Sequence, residues 1–167
     1  AATGADIAIA NGGGIRGDTI YDAGRKLTRR DIMTELPFGN KTVLTVIPGS
    51  QVLAALENGV SQVEKGAGRF PQVSGMTFAF DPSAPAGSRV SEVKVDGKPL
   101  EPDTLYKLAT NDYALDGGDG YTALGGGEVL IDKGNGNLMA NDVIDYIQKT
   151  GKVTAKEAAL DQAKIEL

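Results

Sequence analysis

Apolar positions along this chain follow two different periods, and the changes of period fall at glycines and prolines. Asp6–Ala10 is a short apolar run stopped by three glycines, which predicts a buried strand. Thr42–Pro48 is β-branched and predicts another. Val52, Leu53, Leu56 and Val60 share one face at helical spacing, with Ser50 as the expected cap. Thr28 is expected to cap a helix over Arg29–Leu36, ended by Pro37 and Gly39. Gly75–Phe80 alternates and Arg89–Val95 is strand-like. Asp96-Gly97 signals a hairpin, and Leu105–Thr110 predicts the strand after a proline-containing link. Asn141 is expected to cap an amphipathic helix through Val143, Ile144 and Ile147, closed by Gly151. Ala155–Leu167 carries only weak helical patterning. Helices interspersed with hairpin-like strands predict an α+β fold, a single domain over 1–167 with a mixed β-sheet and flanking helices.

Composition narrows the chemistry more than the fold. The 167 residues are 41% hydrophobic and 23% charged, as expected of a globular domain with a core of its own. The net charge of -5 argues against a general nucleic-acid surface. The sequence has no Cys and no His. That removes disulfides, a thiolate nucleophile, a Ser-His-Asp triad and any imidazole-based metal centre. A carboxylate site for a hard cation stays open, with Asp112, Asp116 and Asp119 close in sequence, although the spacing is not that of an EF-hand. No apolar run approaches the roughly 20 residues needed to cross a bilayer.

The 23 glycines cluster in turns, and two of these turns end expected strands beside a charged side chain. In Asn11-Gly12-Gly13-Gly14-Ile15-Arg16, backbone N–H groups can face an anion and Arg16 can contact phosphate or paired hydroxyls. The alternative is a tight turn with an exposed arginine. In Asn111-Asp112-Tyr113, followed by Gly117-Gly118-Asp119-Gly120-Tyr121, a ring can stack on a flat base and a carboxylate can take vicinal hydroxyls. The alternative puts Tyr113 in the core and Asp119 in an Asx turn. Leu36-Pro37-Phe38-Gly39-Asn40 offers an outward aromatic platform and an amide suited to a base edge, or else a core Phe and a helix-end Asn. Gly68–Gly75 is a polar-aromatic loop that either supports such a pocket or is just the entry to a strand.

Taken in order, Asn-Gly-Gly-Gly-Ile-Arg, Leu-Pro-Phe-Gly-Asn, Gly-Arg-Phe-Pro-Gln-Val-Ser-Gly and Asn-Asp-Tyr with Gly-Gly-Asp-Gly-Tyr resemble the C-terminal domain of the 5′-nucleotidase and UDP-sugar hydrolase family. The resemblance runs from about Asp6 to about Ile147. It implies a nucleoside-binding specificity domain of a two-domain phosphohydrolase of nucleotide catabolism. The N-terminal metallophosphoesterase partner domain would carry two divalent metals and the catalytic residues, so this chain would hold no cofactor or catalytic residue and would be inactive by itself.

By motif, the resemblance gives Arg16 the ribose or phosphate side, Asn11 a ligand hydrogen bond and Asn40 the base edge. Phe38 and Tyr113 become the walls of an aromatic clamp, and Asp119 the ribose-binding carboxylate. Gly12, Gly13, Gly14, Gly117 and Gly118 would support the loops. The best-known members carry Phe where Tyr113 stands. The family also draws an arginine from a helix upstream of the first turn, so the pocket is expected to be incomplete here. Residues 17–27 look slightly longer than in some relatives. A periplasmic, secreted or surface location is implied, with a nucleotide or nucleoside ligand, no nucleic-acid polymer and no membrane span. Rival readings are a cyclic-nucleotide phosphodiesterase branch, a thiosulfohydrolase branch, a stand-alone ligand-binding module and a purely structural domain.

Overall fold

A computed structural model describes residues 3–153. In chain order the elements are β1 (Ile7–Asn11), α1 (Arg29–Glu35), β2 (Thr42–Pro48), α2 (Gly49–Val60), β3 (Pro71–Ser74), β4 (Met76–Phe80), β5 (Val90–Val95), β6 (Lys98–Pro99), β7 (Leu105–Asn111), α3 (Asp112–Leu115), β8 (Glu128–Ile131) and α4 (Met139–Thr150). The expected α+β character holds, but the strands divide into two sheets. One is five-stranded and mixed, in the order β3-β1-β7-β2-β8, and the other is a three-stranded β4-β5-β6 meander. Gly75 makes the division. Its φ of +74° redirects the chain between β3 and β4, and a Cβ there would stand 2.3 Å from the Asp6 carbonyl.

Burial explains the layering. Val52, Ala55, Leu56 and Val60 of α2 are buried together with Ile7, Ile9, Ile47 and Leu108 of the larger sheet and Met76, Phe78 and Phe80 of the smaller one. Of the face read from the sequence, Val52, Leu56 and Val60 join both sheets into one core, whereas Leu53 is exposed and Ala55 takes the inward position. Arg89, largely buried, ties the smaller sheet to the end of α2. Its guanidinium donates to the Val60 carbonyl (2.7 Å), the Ala84 carbonyl (2.8 Å) and the Glu64 carboxylate (2.9 Å). The Arg89 hydrogen bond holds the Glu64 carboxyl below its ordinary value. On another face, α1 packs against α4, where Ile32 and Ala140 are buried.

Of the three helix starts expected from the sequence, one has the anticipated cap and two do not. Thr28 caps α1 as expected: its hydroxyl accepts the Asp31 N–H while the Asp31 side chain accepts the Thr28 N–H, a reciprocal capping box. Ser50 does not cap α2. The helix begins at Gly49, and its first N–H groups donate to the Thr104 and Pro102 carbonyls (3.0 and 2.9 Å). Asn141 does not cap α4 either. The Met139 N–H donates to the Asn40 carbonyl (2.9 Å), and Asn141 sits inside the first turn, accepting from Arg29 (2.9 Å). In both cases a backbone carbonyl from elsewhere in the chain satisfies the helix end, so no side chain is needed. Gly151, in the left-handed region, closes α4. The expected weak helix at Ala155–Leu167 lies outside the described residues.

Strand direction positions the site. Among the described residues β1 and β7 are the one parallel pair, so their carboxyl ends emerge side by side. β2 and β3 run antiparallel to these strands and therefore begin at that same end, with Thr42 opposite Asn111 and Pro71 opposite Asn11. Four chain segments far apart in sequence converge there: those after Asn11 and Asn111, and those before Thr42 and Pro71.

Candidate functional site

The converging segments enclose a cleft of about 530 Å³, lined by Asn11, Gly13, Gly14, Arg16, Phe38, Asn40, Gly68, Tyr113 and Asp119. All six side chains singled out in the sequence line it. Of the loop glycines, Gly13 and Gly14 line it, while Gly12, Gly117 and Gly118 do not. A ligand beyond the carboxyl ends of a parallel strand pair is the usual arrangement in open α/β sheets. A larger hollow of about 710 Å³ lies at the opposite end of the sheet, against Asp6, Gly75 and Leu105. Its one ring, Tyr106, is buried, and the Tyr106 hydroxyl is engaged by the Glu101 N–H (3.1 Å). The converging polar groups and exposed rings belong to the smaller cleft.

The floor is a relay of amides between the paired strand ends. Asn111, 1% exposed, accepts the Ala114 N–H with Oδ1 (2.8 Å) and so starts α3. Its Nδ2 donates to Asn11 Oδ1 (3.0 Å), and Asn11 Nδ2 donates to Asp119 Oδ2 (2.8 Å). Both ends of the Asn11 side chain are thereby engaged inside the protein, so it acts first as a support for Asp119. Asp119 has φ +54°, uncommon for a residue other than glycine. Its backbone carbonyl accepts from Asn58 (3.1 Å), which in turn accepts from Arg69 (3.2 Å). Beneath lies Tyr121, fully buried, with its hydroxyl on the Arg69 carbonyl (2.5 Å). Burial, with the Asp119 charge adding to it, pushes the Tyr121 phenol well up from its ordinary value.

The walls are aromatic and open to solvent. Phe38 is 58% exposed and Tyr113 47% exposed, so neither ring belongs to the core. Phe38 stands on the short link between α1 and β2. Asn40 anchors that link: its Nδ2 donates to Asp112 Oδ1 (2.9 Å), which also accepts the Lys41 N–H (3.1 Å). The Tyr113 ring rests on the Gly118 backbone, where a Cβ would stand 2.5 Å from the ring. Arg16 forms the rim. Its Nε donates to the Gly13 carbonyl (2.7 Å), and its guanidinium carbon lies 5.4 Å from the Phe38 ring centre, a cation–π contact.

One expectation is corrected. The N–H groups of the first glycine turn do not form an anion cradle. Those of Gly12 and Gly13 donate to the Phe70 and Gly68 carbonyls (2.8 and 2.7 Å). Those of Ile15 and Arg16 donate to the Gly12 and Glu35 carbonyls (3.0 and 2.8 Å). These four N–H groups are taken within the protein, and the charged group the turn offers to the cleft is the Arg16 side chain.

Asp112, Asp116 and Asp119 do not point at one another's space. Asp112 takes the Asn40 link, Asp116 pairs with Lys133 (3.0 Å), and Asp119 takes Asn11 and Tyr113. Among the described residues no group of three or more acidic side chains is placed to hold a metal ion. Sequence reasoning offered the loop beginning at Gly68 only as a support and not as lining, and missed Asn111 and Asp112 as supports. The available signal was the matched Asn before each glycine turn.

Comparison with known proteins agrees with the geometry. Residues 1–126 match the family described as 5′-nucleotidase, C-terminal domain. A trifunctional nucleotide phosphoesterase of Bacillus subtilis is 42% identical over 126 residues, 72% of this chain and 8% of that protein. A snake venom 5′-nucleotidase of Crotalus adamanteus is 36% identical over 157 residues, 88% of this chain and 26% of its own length. The crystal structure of a 5′-nucleotidase precursor from Thermus thermophilus superposes with a TM-score of 0.80 at 38% identity, covering 99% of this chain and 31% of that one. The chain thus spans less than a third of each of these relatives. The four motifs met in the sequence, the sheet order that gathers them and these matches agree: the chain belongs to the 5′-nucleotidase C-terminal domain family.

Proposed function

We propose that this chain is the nucleoside-binding, specificity-setting half of a two-domain, metal-dependent 5′-nucleotidase-type phosphohydrolase. The observation that carries the reading is the convergence of two exposed rings, a carboxylate and a guanidinium on one cleft from distant parts of the chain. In this reading a base stacks between Phe38 and Tyr113, a contact worth about 1–3 kcal/mol per base. Asp119 accepts the two ribose hydroxyls, since only part of its acceptor capacity is used within the protein. Arg16 keeps its terminal N–H groups toward the phosphate side, and Asn40 faces the base edge.

The chemistry itself belongs to a partner domain outside these residues. Two divalent metals there would supply polarisation of the phosphoryl group and activation of water. This chain binds and orients the substrate, and orientation is worth about 7–11 kcal/mol of barrier in favourable cases. The relatives named for nucleotide hydrolysis support the class of reaction, and the one named for venom supports export from the cell. Among the described residues no helix is long and apolar enough to cross a membrane.

The test is a titration of adenosine and AMP followed by NMR, with phosphate release measured beside it. We expect the Phe38, Tyr113 and Asp119 signals to move together, and no hydrolysis by the chain alone with manganese. Unmoved rings at millimolar ligand would refute the binding role. Turnover at the rate of a full-length relative would refute the division of labour.

A further inference from the structure

Tyr113 carries one group that neither a base clamp nor a packed core requires, its hydroxyl. That hydroxyl makes two contacts, both with the same residue. It donates to Asp119 Oδ1 (3.0 Å) and accepts the Asp119 backbone N–H (3.2 Å). Asn11 holds the other carboxylate oxygen at 2.8 Å. Each oxygen therefore has one protein donor, and about half of the roughly four acceptor positions of a carboxylate stay free.

The same bridge holds a backbone conformation that asparagine and aspartate adopt only occasionally, φ +54° at Asp119. The ring cannot slide inward, because Gly118 lies directly beneath it. Ring, glycine and acid form a closed unit across seven residues, 113–119, in which the base wall and the ribose acceptor move as one piece. A phenylalanine at this position would supply the wall and leave Asp119 Oδ1 without its donor.

We propose that the Tyr113 hydroxyl is a positioning group for sugar recognition. Through its two hydrogen bonds it sets the Asp119 carboxylate for a vicinal diol, so that discrimination between ribo- and 2′-deoxyribonucleosides depends on a residue whose ring faces the base. The proposal rests on the nucleoside-binding reading above and adds a role for a group that reading leaves idle. The hydroxyl points to Asp119 and not to the base, so base preference is independent of it.

The experiment measures dissociation constants of adenosine and 2′-deoxyadenosine by calorimetry, on the 167-residue chain and on its Tyr113→Phe variant. The unaltered chain should favour adenosine. The variant should lose roughly three- to tenfold in adenosine affinity, the net worth of one ordinary hydrogen bond at a site open to water, and change by less than about twofold toward 2′-deoxyadenosine. A merely structural role would weaken both ligands alike. An unchanged ratio, or equal weakening, overturns the proposal while leaving nucleoside binding intact. Absence of adenosine binding by the unaltered chain removes both.

A second measurement needs no variant. The Tyr113 ring carbon bearing the hydroxyl should shift differently with adenosine and with 2′,3′-dideoxyadenosine, which stack alike but differ in the diol. Identical shifts overturn the proposal.

Discussion

Replacing Asn11 by alanine removes the middle of the amide relay, and the structure allows its cost to be worked out. The side chain is 6% exposed and makes two hydrogen bonds. Loss of the bond to the Asp119 carboxylate removes about 1.5–3 kcal/mol, the range for a charged acceptor. Asn111 Nδ2, on a side chain 1% exposed, is then left without its acceptor, at about 1–3 kcal/mol. The two losses share one neighbourhood and do not add fully. Water entering from the cleft relieves the Asp119 end, because Asn11 lines that cleft. The expected net loss is about 2–4 kcal/mol, a large share of the roughly 5–15 kcal/mol that holds an ordinary domain together. Urea unfolding, extrapolated linearly, should show a lower midpoint with an unchanged slope. Asn40→Ala is the internal control. It removes one of the several donors to Asp112 and should cost about 0.5–1.5 kcal/mol. If Asn11→Ala costs less than about 0.5 kcal/mol, or no more than Asn40→Ala, the relay is not what holds the two strand ends together.

Three further outcomes are expected. Phe38→Ala should weaken adenosine binding by about 1–3 kcal/mol in calorimetry while leaving the urea midpoint nearly unchanged, because the ring is 58% exposed. Thr28→Ala removes the reciprocal cap of α1 and should cost about 1 kcal/mol in the same unfolding assay. Acid should destabilise the fold. Asp31, Glu64 and Asp81 are each held below their ordinary values, by the Thr28 backbone, the Arg89 guanidinium and the Ser83 hydroxyl respectively. The unfolded chain then binds more protons than the folded one. Stability present above the ordinary carboxylate values of 3.8 to 4.5 is therefore lost as pH falls below them. A urea midpoint that stays flat from neutrality to below pH 3 would contradict this, and Glu64→Gln should flatten part of the slope.

Much of the site was legible because its parts are chemically conspicuous. Glycine turns after apolar runs, a Phe between Pro and Gly, and an acid among glycines stand out in any local reading. Their meeting was not legible in any local pattern and entered only as what the family resemblance implied. It depends on the order β3-β1-β7-β2, and no local pattern states which strands pair. The same limit explains the misplaced caps. Ser50 and Asn141 carry suitable side chains, but carbonyls at Pro102, Thr104 and Asn40 reach the helix ends first. The anion cradle failed likewise, because the Gly68–Phe70 backbone had already taken the N–H groups of Gly12 and Gly13. β8 gave no signal because three of its four residues are exposed and no alternation marks a buried face. Pro71–Ser74 reads as a loop for a related reason: only Pro71 of the four is buried.

The two aromatic walls hang from different parts of the architecture. Tyr113 and Asp119 are tied to the carboxyl end of β7, whereas Phe38 stands on the link that follows α1, a helix that rests against α4 and belongs to neither sheet. The width of the slot is therefore adjustable at one jaw only. Lengthening or shortening the unpaired stretch at 17–27, which Tyr21 fastens to Glu35 (2.7 Å), would re-gauge the opening for larger or smaller guests. The Tyr113–Asp119 side would stay where β7 holds it, so the opening of this cleft can change without rebuilding that half.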